Sequence, residues 1–111
     1  MRIPSVIILR KLHVRGMALY PFILLRDGAM KEDAVMMNHE RIHHRQQLEL
    51  LIIPFYVLYL LNYLLNRMQY RSHRDAYLNI VFEREAYAHE RDIDYLNDRK
   101  MFSFLKFIRV T

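Results

Sequence analysis

His39, Glu40 and His43 stand in the order H-E-x-x-H within residues 38–47, NHERIHHRQQ. On a helix the two imidazoles fall about one turn apart on the same side, a spacing that lets both reach one metal ion. Glu40, about 100° further round than His39, can approach a water activated by that ion without coordinating it, and there it serves as general base. The pattern is short. A catalytic zinc site needs a third protein ligand and an open fourth position, and these must come from elsewhere in the chain.

The chain has no cysteine, so the remaining ligand is a histidine or a carboxylate. Glu49 lies six residues beyond His43, about 240° further round a continuing helix, and points away from the metal. His44 reads as a surface histidine, and Gln47, one turn after His43, as a cleft-lining or exposed residue. The ligand is therefore expected on another helix, where residues 82–90, FEREAYAHE, offer Glu83, Glu85, His89 and Glu90.

These two motifs together resemble the gluzincin metallopeptidases, which carry H-E-x-x-H on one helix and a zinc-binding glutamate within E-R-E on a later one. Glu83, Arg84 and Glu85 match E-R-E, and the resemblance implies that Zn2+ is held by His39, His43 and Glu85, with Glu83 in reserve. The family's aspartate four residues after the ligand is His89 here. Asp92, on nearly the same face as Glu85, is the substitute candidate for that orienting role, while Tyr87 and His89 are candidates for steadying an oxyanion. From residue 18 to 97 the order of segments is similar to the single-domain minigluzincins and related small bacterial peptidase-like proteins. Such peptidases commonly bind substrate along a strand edge.

The elements that must position these residues can be read around them. Residues 4–9 and 18–25 are rich in β-branched and aromatic residues, which predicts two antiparallel strands, the second carrying Pro21 at a sheet edge or a bulge. A helical pattern runs from about Glu32 to Ile52. Pro54 ends or kinks it and opens a second helix, with Arg67, Arg71 and Arg74 beyond its apolar part and residues 69–75 as a basic connector. A third helix is expected from about Val81 to Asn97, and a short C-terminal helix within 101–110. The expected fold is α+β, predominantly helical, with a small antiparallel sheet packed on the zinc-binding helices in a single domain, 1–111.

Composition agrees with that outline: 53% of the 111 residues are apolar, with two glycines and three prolines, enough for one core and few tight turns. The apolar run 17–25 is followed at once by Arg26 and Asp27, without a small-residue cleavage site, so it reads as a strand and the chain as cytoplasmic. Residues 50–66 carry no charge. They read first as a core helix or homodimer contact and second as a membrane-surface helix. The leading function is a zinc-dependent peptide hydrolase acting on a peptide or protein substrate. The alternative is a latent or inactive zinc-binding interaction module. The net charge of +5 admits nucleic acid, but no recognition motif accompanies it, and that partner ranks last.

Overall fold

The computed structural model describes residues 5–108. Three short strands, β1 (Ser5–Ile8), β2 (Gly16–Leu19) and β3 (Phe22–Leu25), form one sheet in the order β1-β3-β2. β2 runs antiparallel to β3, with Ala18 opposite Ile23, whereas β1 runs parallel to β3. The sheet is thus mixed, a correction to the antiparallel pair expected. The run 18–25 is two strands, because Pro21, which has no N–H for a ladder, sits in the two-residue turn between them. β3 is central and buries Ile23, Leu24 and Leu25.

Five α-helices follow among the described residues. Asp27 caps a 3-10 helix, Gly28–Glu32, and Asp33 caps α1 (Ala34–Glu49) by accepting from the Met36 amide at 3.0 Å. An aspartate at this position stabilises a helix by about 1 kcal/mol. The buried side of α1 is mostly polar: Asn38, His39, Glu40, His43, His44, Gln46 and Gln47 are all buried, with Ile42 the single aliphatic residue among them. Polar groups are costly to bury without partners, so this face is organised by hydrogen bonds.

α1 ends in a Schellman-type turn. The Ile52 amide reaches the Gln47 carbonyl at 2.6 Å and the Leu51 amide the Leu48 carbonyl at 3.3 Å. Leu51, at φ 62°, occupies the left-handed position where glycine is the usual residue. α2 (Ile53–Gln69) then begins with Pro54 in its first turn, as expected. The connector beyond it contains a further short helix, α3 (His73–Leu78), capped by Ser72.

The third long helix expected from 81 to 97 is divided into α4 (Val81–His89) and α5 (Tyr95–Asp98). The Asn38 side-chain amide donates to the carbonyls of His89, Glu90 and Asp92. It thereby satisfies backbone groups that a continuing helix would have bonded internally. A 3-10 helix, Ser103–Phe107, closes the described chain; residues 109 and 110 of the expected C-terminal helix lie outside the described residues.

One apolar cluster joins Phe55, Ile80, Phe82 and Phe104, and a second joins Ile42, Ala86 and Leu96. The second lies between α1 and α4 and brings the two predicted motif helices face to face. The fold is α+β and predominantly helical.

Candidate metal centre

α1 projects His39 and His43 from adjacent turns, and α4 brings a carboxylate opposite them. That carboxylate belongs to Glu83. Its Oε1 lies 3.0 Å from Nε2 of His39 and 3.0 Å from Nε2 of His43, and the two Nε2 atoms are 3.2 Å apart. Three ligand atoms bound tetrahedrally to one zinc stand about 3.3 Å from each other, given metal–ligand bonds of about 2.0–2.1 Å. The triangle needs only a slight opening to fit such an ion, and all three side chains are buried.

The hydrogen bonds behind the ligands determine which atoms are free. His39 Nδ1 lies 2.7 Å from Glu90 Oε1, so its proton belongs on Nδ1. Gln46 donates both amide hydrogens, to the Phe82 carbonyl at 3.0 Å and to Glu85 at 2.9 Å, and offers its oxygen to His43 Nδ1 at 2.8 Å. Each ring therefore commits Nδ1–H outward and turns the bare lone pair of Nε2 toward the same point as the Glu83 carboxylate. Three converging acceptors repel one another unless a cation or a proton lies among them.

The charge balance agrees. Burial alone would lower the pKa of His43, but Glu83 beside it raises the value to about 9. Burial opposes the charge of Glu83, yet His43 and the hydrogen bonds to both imidazoles hold its carboxyl well below the usual range. Without metal, a proton on His43 supplies the positive charge that the cluster requires. Tyr59 completes the set by donating its hydroxyl to Glu83 Oε2 at 2.5 Å.

The expectation for Glu85 is corrected. Its carboxylate is fully buried in a separate network, accepting from Arg99 Nε at 2.6 Å, the Tyr95 hydroxyl at 2.5 Å and Gln46. Arg99 also donates to Glu49 at 2.6 Å, so Glu49 points away from the His39–His43 cluster, as expected. Two residues apart on a helix means about 200° of rotation, so only one glutamate of E-R-E can face α1's imidazoles. The buried guanidinium claims the other.

The remaining candidates divide in the same way. Tyr87 lies beside the cluster, its ring 4.5 Å from that of His39 and its hydroxyl 3.2 Å from that of Tyr77. His89 is elsewhere, stacked on Tyr95 at 3.9 Å, and Asp92 is exposed, with its side chain accepting from the Asp94 amide at 3.2 Å. Asp92 does not fill the orienting role expected of it, which Glu90 takes at His39 Nδ1, and His89, held against Tyr95, is not among the cluster residues that could steady an oxyanion. His44 is buried rather than on the surface, donating to the Phe22 carbonyl at 2.7 Å, and burial lowers its pKa. Gln47 ties α1 to the sheet through the Tyr20 amide and the Ala18 carbonyl.

Glu40 faces a cavity of about 210 Å³ that is also lined by His39, His43, Glu83, Phe55 and Tyr59. Burial raises its pKa, partly offset by His43 and His39 and by a hydrogen bond from the Ala18 backbone, while Glu83 adds to the rise. A carboxylate made more basic in this way is, when ionised, a stronger proton acceptor than an ordinary one. Tyr77, also on the cavity wall, has its pKa raised, first by burial and then by Glu83. It keeps its proton and can donate.

No family model, curated protein or solved structure matches the chain.

Proposed function

We propose that the protein is a zinc-dependent peptide hydrolase in which His39, His43 and Glu83 hold the ion and Glu40 is the general base. The observation that carries this reading is the convergence of two imidazole Nε2 atoms and one carboxylate oxygen beside a cavity that also contains a separate, more basic carboxylate. Two histidines, one carboxylate and one open position suit catalytic zinc. When bound there, the ion supplies Lewis acidity to water and to a carbonyl oxygen.

The chain's own groups supply the rest. Glu40 takes a proton from water as the water oxygen attacks the peptide carbonyl carbon. It then returns that proton to the amine nitrogen as the C–N bond breaks. Tyr77 and Tyr87, protonated and joined through their hydroxyls, are the donors placed to steady negative charge on the carbonyl oxygen. Glu90 and Gln46 hold the imidazoles in the tautomer that presents Nε2.

A second reading, a metal-binding module without turnover, has one observation in its favour. β2 is an edge strand, but its Ala18 carbonyl already accepts from Gln47 and from the Tyr56 hydroxyl at 3.0 Å. That part of the edge is closed to a substrate backbone.

The deciding experiment is zinc content and cleavage of a quenched fluorescent peptide library by the parent and by Glu40→Gln. The hydrolase reading expects one zinc per chain in both and a loss of activity on the order of 100-fold or more in the variant. Stoichiometric zinc with no cleavage by the parent establishes the second reading instead. Absence of zinc binding removes both.

A further inference from the structure

α2 has its polarity reversed. The side facing the protein carries polar and aromatic groups with defined partners: the Tyr56 hydroxyl on Ala18, Tyr59 on Glu83, Tyr63 with His73, and Asn66 on the Ala76 carbonyl. The Asn62 side chain accepts from the Val81 amide. The opposite side is aliphatic and faces outward: Val57, Leu60, Leu61, Leu64, Leu65 and Met68 are all exposed, Met68 by 85%. A helix on a water-facing surface normally has the reverse arrangement.

The surface continues at both ends. Leu51 is 79% exposed and Ile53 73% exposed, so the strained left-handed position at Leu51 holds a large apolar side chain that contributes little to the interior. Leu105 and Ile108 share with Leu58, Leu61 and Leu65 a groove of about 410 Å³. Residues 50–74 contain no acidic residue and end with Arg67, Arg71 and Arg74; residues 100–108 likewise contain none and carry Lys100 and Lys106.

Three occupants are conceivable, and the dimensions separate them. No single helix among the described residues is long and apolar enough to cross a membrane. A two-helix seam with a second copy would use a narrow stripe, whereas the exposed aliphatic positions from Leu60 round to Leu58 span about 160° at 100° per residue. A second copy would leave the flanks wet. A broad aliphatic face bordered by cations fits the plane between acyl chains and anionic headgroups.

We infer that α2, with Leu51 and the end of the C-terminal 3-10 helix, lies in the surface of an anionic lipid bilayer, with its aliphatic side among the acyl chains. This inference is independent of the hydrolase reading.

The test is flotation of the full chain with vesicles of phosphatidylcholine containing phosphatidylglycerol, and with vesicles of phosphatidylcholine alone. The double substitution Leu61→Glu and Leu64→Glu is compared with the parent. Both positions are exposed, so the variant should keep its circular dichroism and its urea unfolding midpoint. The expected result is co-flotation with anionic vesicles, weaker by at least tenfold with neutral ones and by at least tenfold for the double variant, with salt reducing the binding. Failure of the folded parent to bind anionic vesicles overturns the inference. So does a parent that dimerises through this face, becomes monomeric on the double substitution and binds no lipid. Equal binding to neutral vesicles overturns the anionic assignment.

Discussion

The Nδ1 of His39 lies 2.7 Å from a carboxylate oxygen of Glu90, fifty-one residues later in the chain. This contact fixes the ring's tautomer and increases its basicity toward a metal. Replacing Glu90 with glutamine should weaken zinc affinity by about 10- to 100-fold while leaving the unfolding midpoint of the metal-free protein nearly unchanged. Competition with a fluorescent chelator measures the first and a urea titration in chelator the second. Unaltered zinc affinity would remove Glu90 from the site.

Glu83 and Glu85 should differ sharply as glutamine variants. Glu83→Gln removes a ligand, so its loss of zinc affinity should exceed the roughly 100-fold upper range for an outer partner. Glu85→Gln should retain zinc within about tenfold, because Gln46 still reaches His43. The reverse ranking by chelator competition would restore Glu85 as the ligand.

Arg99 is buried between Glu85 and Glu49. Removing it leaves two carboxylates without their cation. Arg99→Met should cost about 3–5 kcal/mol of stability by urea unfolding, the range for breaking one side of a buried ion pair. A loss under about 1 kcal/mol would mean that the network is looser than its distances imply.

The same network gives acid sensitivity. Burial opposes the charge of Glu85, but hydrogen bonds from Arg99, Gln46 and Tyr95 outweigh it and hold its pKa below the ordinary 4.5. In the interval below that value the unfolded chain binds the proton that the folded chain refuses, so stability falls as pH falls. The stability advantage of the parent over Glu85→Gln should be full above about pH 4.5 and shrink as the pH drops through the depressed folded value. Urea midpoints from pH 7 downward test this; a gap that does not change with pH contradicts it.

Leu51 offers the opposite kind of change. Glycine tolerates its left-handed backbone without a Cβ clash, and the exposed leucine side chain contributes little burial. Leu51→Gly should stabilise the protein by about 1 kcal/mol. A destabilised variant would show that the side chain packs against something in the folded chain.

The histidine pair and the helix carrying it were readable because a 3.6-residue period leaves little freedom over five positions. The start of α2 was readable from Pro54 for a similar reason. What escaped depended on partners remote in sequence. Glu83, Tyr87 and Glu90 form a stripe at i, i+4 and i+7, but so do Glu85, His89 and Asp92, and periodicity alone ranks neither above the other. The choice was made by Arg99, whose burial cannot be read from its own neighbours. Asn38 was missed too, and with it the break after α4, since three carbonyls finding one amide from α1 leave no local sign. The parallel pairing of β1 likewise depends on where a loop returns, not on what the strand contains.

Asn38 joins α1 to the end of α4 across more than fifty residues, one position before the first imidazole. A nascent chain that has emerged only as far as α2 presents His39 and His43 without Glu83 or Glu90. The three-residue cluster of His39, His43 and Glu83 is therefore complete only after synthesis of the second half and docking of its helix.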